Sequence, residues 1–197
     1  WSDISPSRGF QMWAPEYYLL ESERGLRWYL YYTASDGNHE HHRMYVAESA
    51  GSDPMGPYHF AGLLQTDREN VHYAIDGSLL KKTDGSLYLI WAGWPEHVLF
   101  IAPMSNPWTM SGARVNIPAS GFGCSEVREG PVTIQRNGKI FLVYSACDTG
   151  KPDYKLGMLS ADQLADVLNP KAWIQHPDPV FTRSDADGVY GPGHNHF

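Results

Sequence analysis

Val127-Arg128-Glu129-Gly130-Pro131-Val132-Thr133-Ile134 sets a carboxylate directly before a Gly-Pro pair and an apolar run. The run meets Arg136-Asn137-Gly138-Lys139, where Asn-Gly is a strong hairpin signal. A second apolar run, Ile140 to Ala146, follows. Glu129 therefore stands at the mouth of a strand that turns back on itself.

The same arrangement occurs three times. Glu16 precedes Tyr17-Tyr18-Leu19-Leu20, a turn ending at Gly25, and Trp28 to Tyr32. Asp76 precedes Gly77-Ser78-Leu79-Leu80, a turn ending at Gly85, and Leu87 to Trp91. In each copy the turn glycine lies nine places after the acid, and aromatics stand twelve and fifteen places after it: Trp28, Tyr88 and Phe141, then Tyr31, Trp91 and Tyr144. The acids are 60 and 53 residues apart. A repeat period of about 50 residues points to propellers or arrays. Any antiparallel protein has hairpins with glycine in the turn, but three acids in one register with two aromatic columns are not explained by that alone.

Around these hairpins the chain reads as further strands: Arg43 to Glu48 and Tyr58 to Leu64 in the first unit, His97 to Met104 and Ala113 to Ile117 in the second, Tyr154 to Leu159 and Asp178 to Phe181 in the third. Ala161 to Leu168 is expected as a short polar helix. Three to four strands per unit in up-and-down order make a propeller blade. The expected fold is all-β, an incomplete five-bladed propeller of about three whole blades plus part of another, in one domain over 1–197. A propeller lines its channel with the first strand of every blade. The repeat would thereby bring Glu16, Asp76 and Glu129 towards one axis, with His194, 65 residues after Glu129, in the next register.

The chain has 197 residues, enough for a core. Its net charge is -7 without a basic cluster, which excludes nucleic acid and anionic membrane as partners. No apolar run reaches a membrane-spanning length. The sequence opens at Trp1 and closes at Phe197, immediately after Gly191-Pro192-Gly193-His194-Asn195-His196, which reads as a fragment; localisation is then not legible from its ends. Clustered carboxylates raise one another's pKa, so one can hold a proton and act as general acid while the other stays ionised. Two acids around a sugar ring are the apparatus of glycoside hydrolysis. Tryptophans offer flat faces to sugars, and Trp13, Trp91 and Trp94 lie next to the acid-bearing strands.

Trp13-Ala14-Pro15-Glu16, Ile75-Asp76-Gly77, Glu129-Gly130-Pro131 and Gly191-Pro192-Gly193-His194-Asn195, in that order, resemble glycoside hydrolase family 43 nearly end to end. The resemblance implies five-bladed propellers that are chiefly arabinofuranosidases, endo-arabinanases and β-xylosidases. It implies that Glu129 is the general acid, that Asp76 modulates the acid's pKa and orients it, and that Trp13 is a substrate platform. It matches His194 to a channel histidine that in many members coordinates a metal ion, often calcium, or a water in its place. No cofactor is required for the chemistry. It implies inversion, which spaces acid and base by about 6.5–9.5 Å for a water. The family's general base belongs upstream of the Trp-Ala-Pro-Glu motif. Asp3 is the only nearby candidate there, and it is rejected because no strand pattern stands behind it. The isolated chain is accordingly expected to be inactive and poorly soluble, although its parent is an enzyme.

The expected partner is arabinose-containing plant cell-wall oligo- or polysaccharide, and the parent is expected to be secreted. Xylo-oligosaccharide as substrate, or a non-catalytic carbohydrate-binding propeller, are the competing readings; a binding module has no need of carboxylates at both Asp76 and Glu129. Glu16 is left as a channel acid without a catalytic role. Trp91 and Tyr144 read as core, and Trp94 as an even choice between surface and substrate contact. His39, His41 and His42 suggest a metal cluster, with a solvated loop as the favoured account. Cys124 and Cys147 could pair, with buried thiols as the default.

Overall fold

The computed structural model describes residues 5–197; Asp3 lies outside them. The chain divides into two compact units, Trp1–Leu89 with Ala102–Arg114, and Ile90–Ile101 with Val115–Phe197. Among the described residues there is no α-helix, only three single-turn 3-10 helices, at Pro6–Arg8, His39–His41 and Pro170–Ala172.

The first unit holds a four-stranded antiparallel sheet in chain order: β1 (Phe10–Ser22), β2 (Gly25–Ser35), β3 (Arg43–Ser49) and β4 (Tyr58–Leu63). The next strands are β5 (Ala74–Lys81), β6 (Leu87–Gly93), β7 (Val98–Asn106), β8 (Thr109–Met110) and β9 (Val115–Asn116). They hydrogen-bond in the order β5-β6-β7-β8, with β9 also on β7. The second unit carries the third sheet in the order β10 (Arg128–Arg136), β11 (Lys139–Ala146), β12 (Lys155–Asp162), β13 (Ile174–Gln175).

The hairpin repeat is realised as read. Gly25, Gly85 and Gly138 all take left-handed backbone, with φ of 90°, 87° and 74°, the conformation that glycine adopts without a Cβ penalty. The second aromatic column is core: Tyr31, Trp91 and Tyr144 are fully buried. Burial of a phenol requires a partner for its hydroxyl. Tyr31 donates to the Pro107 carbonyl, and Tyr144 donates to the Ser120 carbonyl at 2.8 Å. The first column, Trp28, Tyr88 and Phe141, is only half-buried. In the first unit the buried Glu48 carboxylate is neutralised by Arg24 at 3.0 Å and Arg27 at 3.4 Å, as a buried charge must be.

Three expectations are corrected. Ala161 to Leu168 is not a helix: Ala161 is the last inward residue of β12, and the Asp162 and Asp166 carboxylates accept the backbone N–H groups of Leu164 and Leu168. Such local side-chain bonds compete with the helical ladder. The last strand of the third sheet is Ile174–Gln175 and not Asp178 to Phe181, where only a single bridge from Phe181 to Leu156 forms. Cys124 and Cys147 are not buried thiols but a disulfide. The Cα atoms lie 5.3 Å apart because the loop before β10 folds back onto the end of β11, where the Cys147 N–H donates to the Val127 carbonyl.

Candidate active site

In the second unit the acid of the third hairpin is buried, with 6% of Glu129 exposed. Its orientation follows from the residues beside it. Gly130 adopts a φ of 54°, and the register of β10 against β11 shifts between Glu129 and Val132. A bulge of this kind re-aims a side chain at the end of a strand. The space over Gly130 is filled by the His194 ring, which a Cβ at that position would approach to 3.3 Å. The His194 backbone N–H in turn donates to Ser145 Oγ at 2.6 Å, and Ser145 is the residue opposite Glu129 in the ladder. Thus Glu129-Gly130-Pro131 and the Gly-Pro-Gly-His-Asn string, far apart in sequence, meet within one unit.

Both oxygens of Glu129 are engaged. Tyr154 Oη donates to Oε1 at 2.7 Å, and His97 Nε2 lies 3.1 Å from Oε2. Burial has the largest influence on this carboxyl and pushes its pKa up. The contacts from His97 and Tyr154, with the imidazoles of His97 and His194, outweigh burial and hold it below the usual glutamate value. Sequence reasoning assigned neither partner. Tyr154 directly precedes β12, which pairs with β11 and not with β10, so no spacing rule links it to Glu129. His97 was read only as a strand start; the Trp-Pro-Glu-His string before β7 is in fact a tight turn with Glu96 and His97 at φ of 64° and 49°. Trp94, in that turn, is 43% exposed.

In the first unit Asp76 is buried, at φ 56°, and its backbone N–H donates to Thr33 Oγ1 at 3.1 Å. Gly77 packs closely on Met44: a Cβ there would lie 2.4 Å from the Met44 methyl, which would have to shift. Glu16 is half-buried opposite Tyr31, next to a register shift in β1. Trp13 is stacked on His42, with ring centroids 4.0 Å apart at 27°. The histidines therefore have separate tasks: His42 supports the indole, His41 pairs with Asp36 at 2.8 Å, and His39 meets Gln11 at 3.1 Å. Among the described residues no three His, Cys, Asp or Glu side chains converge to hold a metal ion. His194 accordingly stands in no such cluster.

Antiparallel sheets that follow one another in chain order, with neighbouring strands joined up and down, are the blades of a β-propeller. The chain belongs to the glycosyl hydrolases family 43, whose model matches residues 1–197. It is similar to an extracellular exo-alpha-(1->5)-L-arabinofuranosidase of Streptomyces avermitilis, at 38% identity over 96% of this chain and 40% of that protein. An alpha-L-arabinofuranosidase of Humicola insolens is 34% identical over 95% of this chain and 40% of its own length. Among solved structures, the alpha-L-arabinofuranosidase from Lactobacillus brevis superposes with a TM-score of 0.81 at 32% identity, over 93% of this chain and 60% of that one. The fold is the all-β five-bladed propeller, present in part. The chain spans about two fifths of the length of these two curated relatives.

Proposed function

We propose that the whole protein is a secreted glycosidase that hydrolyses α-L-arabinofuranosyl linkages of arabinan or arabinoxylan side chains, inverting the anomeric carbon. What carries this reading is one observation: a buried glutamate, with both oxygens held, stands in Glu-Gly-Pro of a family 43 chain. The arabinofuranosidases named among its relatives supply the substrate class. The word extracellular in the Streptomyces name, together with the Cys124–Cys147 disulfide, supports secretion.

Glu129 is the general acid. It transfers its carboxyl proton to the glycosidic oxygen while the bond from that oxygen to the anomeric carbon breaks, and a water, giving its own proton to a general base, adds to the opposite face of the sugar. His97 and Tyr154 favour the ionised form, which makes Glu129 a stronger acid but harder to keep charged with its proton. In paired-acid sites a second carboxylate restores proton affinity, and Asp76 is proposed for that role. Trp13, held flat by His42, and Trp94 offer ring faces to the sugar.

The test is hydrolysis of nitrophenyl α-L-arabinofuranoside and nitrophenyl β-D-xyloside by the full-length protein, with the released sugar's anomer followed by proton NMR. Arabinofuranoside turnover with inverted product is expected. Preference for the xyloside would replace the substrate assignment, and retained configuration would remove the single-displacement mechanism.

A further inference from the structure

Resting on the reading of Glu129 as general acid, we propose that His97 and Tyr154 are its positioning residues. Each takes one carboxylate oxygen, and together they fix the direction in which the carboxyl faces the departing oxygen. A glutamate has three rotatable side-chain bonds, and a misplaced acid loses much of its effect. Contacts to Oε1 at 2.7 Å and Oε2 at 3.1 Å, from residues on different segments, remove that freedom.

Both partners are themselves held. The Tyr154 ring lies against the backbone of Gly193, where a Cβ would come within 2.0 Å of a ring carbon. That contact gives the second glycine of Gly191-Pro192-Gly193 a reason: only a residue without a side chain lets the string cross the tyrosine. The string is anchored from the other side by the Gly191 N–H, which donates to the Pro152 carbonyl at 2.9 Å. His97 is fixed through its backbone, because its carbonyl accepts the Arg128 N–H at 2.8 Å, one residue before Glu129. Its left-handed φ is uncommon for a residue with a side chain and persists where the surroundings enforce it.

The chemistry fits the geometry. Each carboxylate oxygen has two acceptor positions, so the transferable proton occupies one that Tyr154 and His97 leave open. When it moves to the glycosidic oxygen, the bonding electrons leave with that oxygen and negative charge develops on Glu129. The Tyr154 O–H then donates to a full carboxylate with the His97 imidazole at ion-pair distance from its other oxygen, and charge-assisted contacts of this kind are the strong ones. Neither residue needs to touch the sugar.

The experiment compares kcat for α-L-arabinofuranosides with an activated leaving group, dinitrophenolate, and an unactivated one, a simple alcohol, using the full-length protein. Glu129→Gln is the reference. Tyr154→Phe should lower kcat on the alkyl glycoside about tenfold, the size of one hydrogen bond to a charged group, and His97→Ala should lower it in the same direction. The loss on the dinitrophenyl glycoside should be smaller, and KM should change little. His97→Gln, which restores an amide donor, should recover part of the loss. A merely structural role would reduce both substrates equally and would not respond to glutamine; either result overturns the clamp. If Glu129→Gln shows leaving-group dependence while His97→Ala and Tyr154→Phe do not, the acid assignment stands and the clamp falls. If Glu129→Gln itself shows none, both fall. Should Tyr154→Phe not fold, the His97 pair decides alone, since that residue lies in a surface turn with a quarter of its side chain exposed.

Discussion

Glu129 combines burial with two contacts that favour its charged form, and this fixes how it responds to acid. Its folded pKa lies below the ordinary value. Such a group contributes stability above its unfolded pKa of about 4.3, and that contribution disappears as pH falls through the lower folded value. Urea midpoints measured from neutrality down to acid should therefore fall less steeply for Glu129→Gln than for the wild type. An identical pH dependence would mean that the carboxyl is not held by His97 and Tyr154. At the neighbouring position, Gly193→Ala should be destabilising by about 1–3 kcal/mol, the ordinary cost of forcing an atom into packed space. Its Cβ can be accommodated only if the Tyr154 ring moves, so the urea midpoint should drop together with kcat on an unactivated glycoside. Loss of stability alone would separate the string from the acid.

The hairpin with its left-handed turn glycine is the recurrent element. Gly25→Ala, Gly85→Ala and Gly138→Ala should each lower stability by about 1 kcal/mol, because no atom crowds the new Cβ and only the backbone angle opposes it. Chemical denaturation checks this directly; no change at any of the three would mean that the left-handed angle does not oppose a Cβ there. The disulfide is an element-scale feature too. It joins residues 23 apart and encloses the hairpin that carries Glu129. Cys124→Ser with Cys147→Ser should cost about 3 kcal/mol, as closure of a loop of this length predicts, measured against the wild type under the same conditions. The strands and turns were legible because alternation, Asn-Gly and the spacing of Glu16, Asp76 and Glu129 are local signals. The Ala161 to Leu168 helix was misread because Asp162 and Asp166, polar residues that suit a helix surface, cap backbone N–H groups instead. The disulfide was undecided because two cysteines carry no distance information; the fold-back of the loop before β10 does. Tyr154 escaped notice for a similar reason. Its contact with Glu129 depends on where β12 enters the sheet, which no period in the sequence encodes.

At the scale of the whole molecule, the repeat explains why acids so far apart in sequence recur at equivalent strand positions, and family 43 membership gives those positions their proposed roles. The all-β architecture and the motif strings were legible from the chain alone. The identity of the residues that hold the Glu129 carboxyl was not, because Tyr154 and His97 reach it from segments that no period connects. The proposed role of Glu129, protonation of the departing oxygen, is what the other assignments depend on. The most direct measurement is hydrolysis of an unactivated α-L-arabinofuranosyl disaccharide and of the dinitrophenyl glycoside by Glu129→Gln in the full-length protein. Loss of about 10²–10⁴-fold on the disaccharide, with most of the rate kept on the dinitrophenyl glycoside, is the predicted result. Equal losses on both substrates, or a normal rate on the disaccharide, would contradict it.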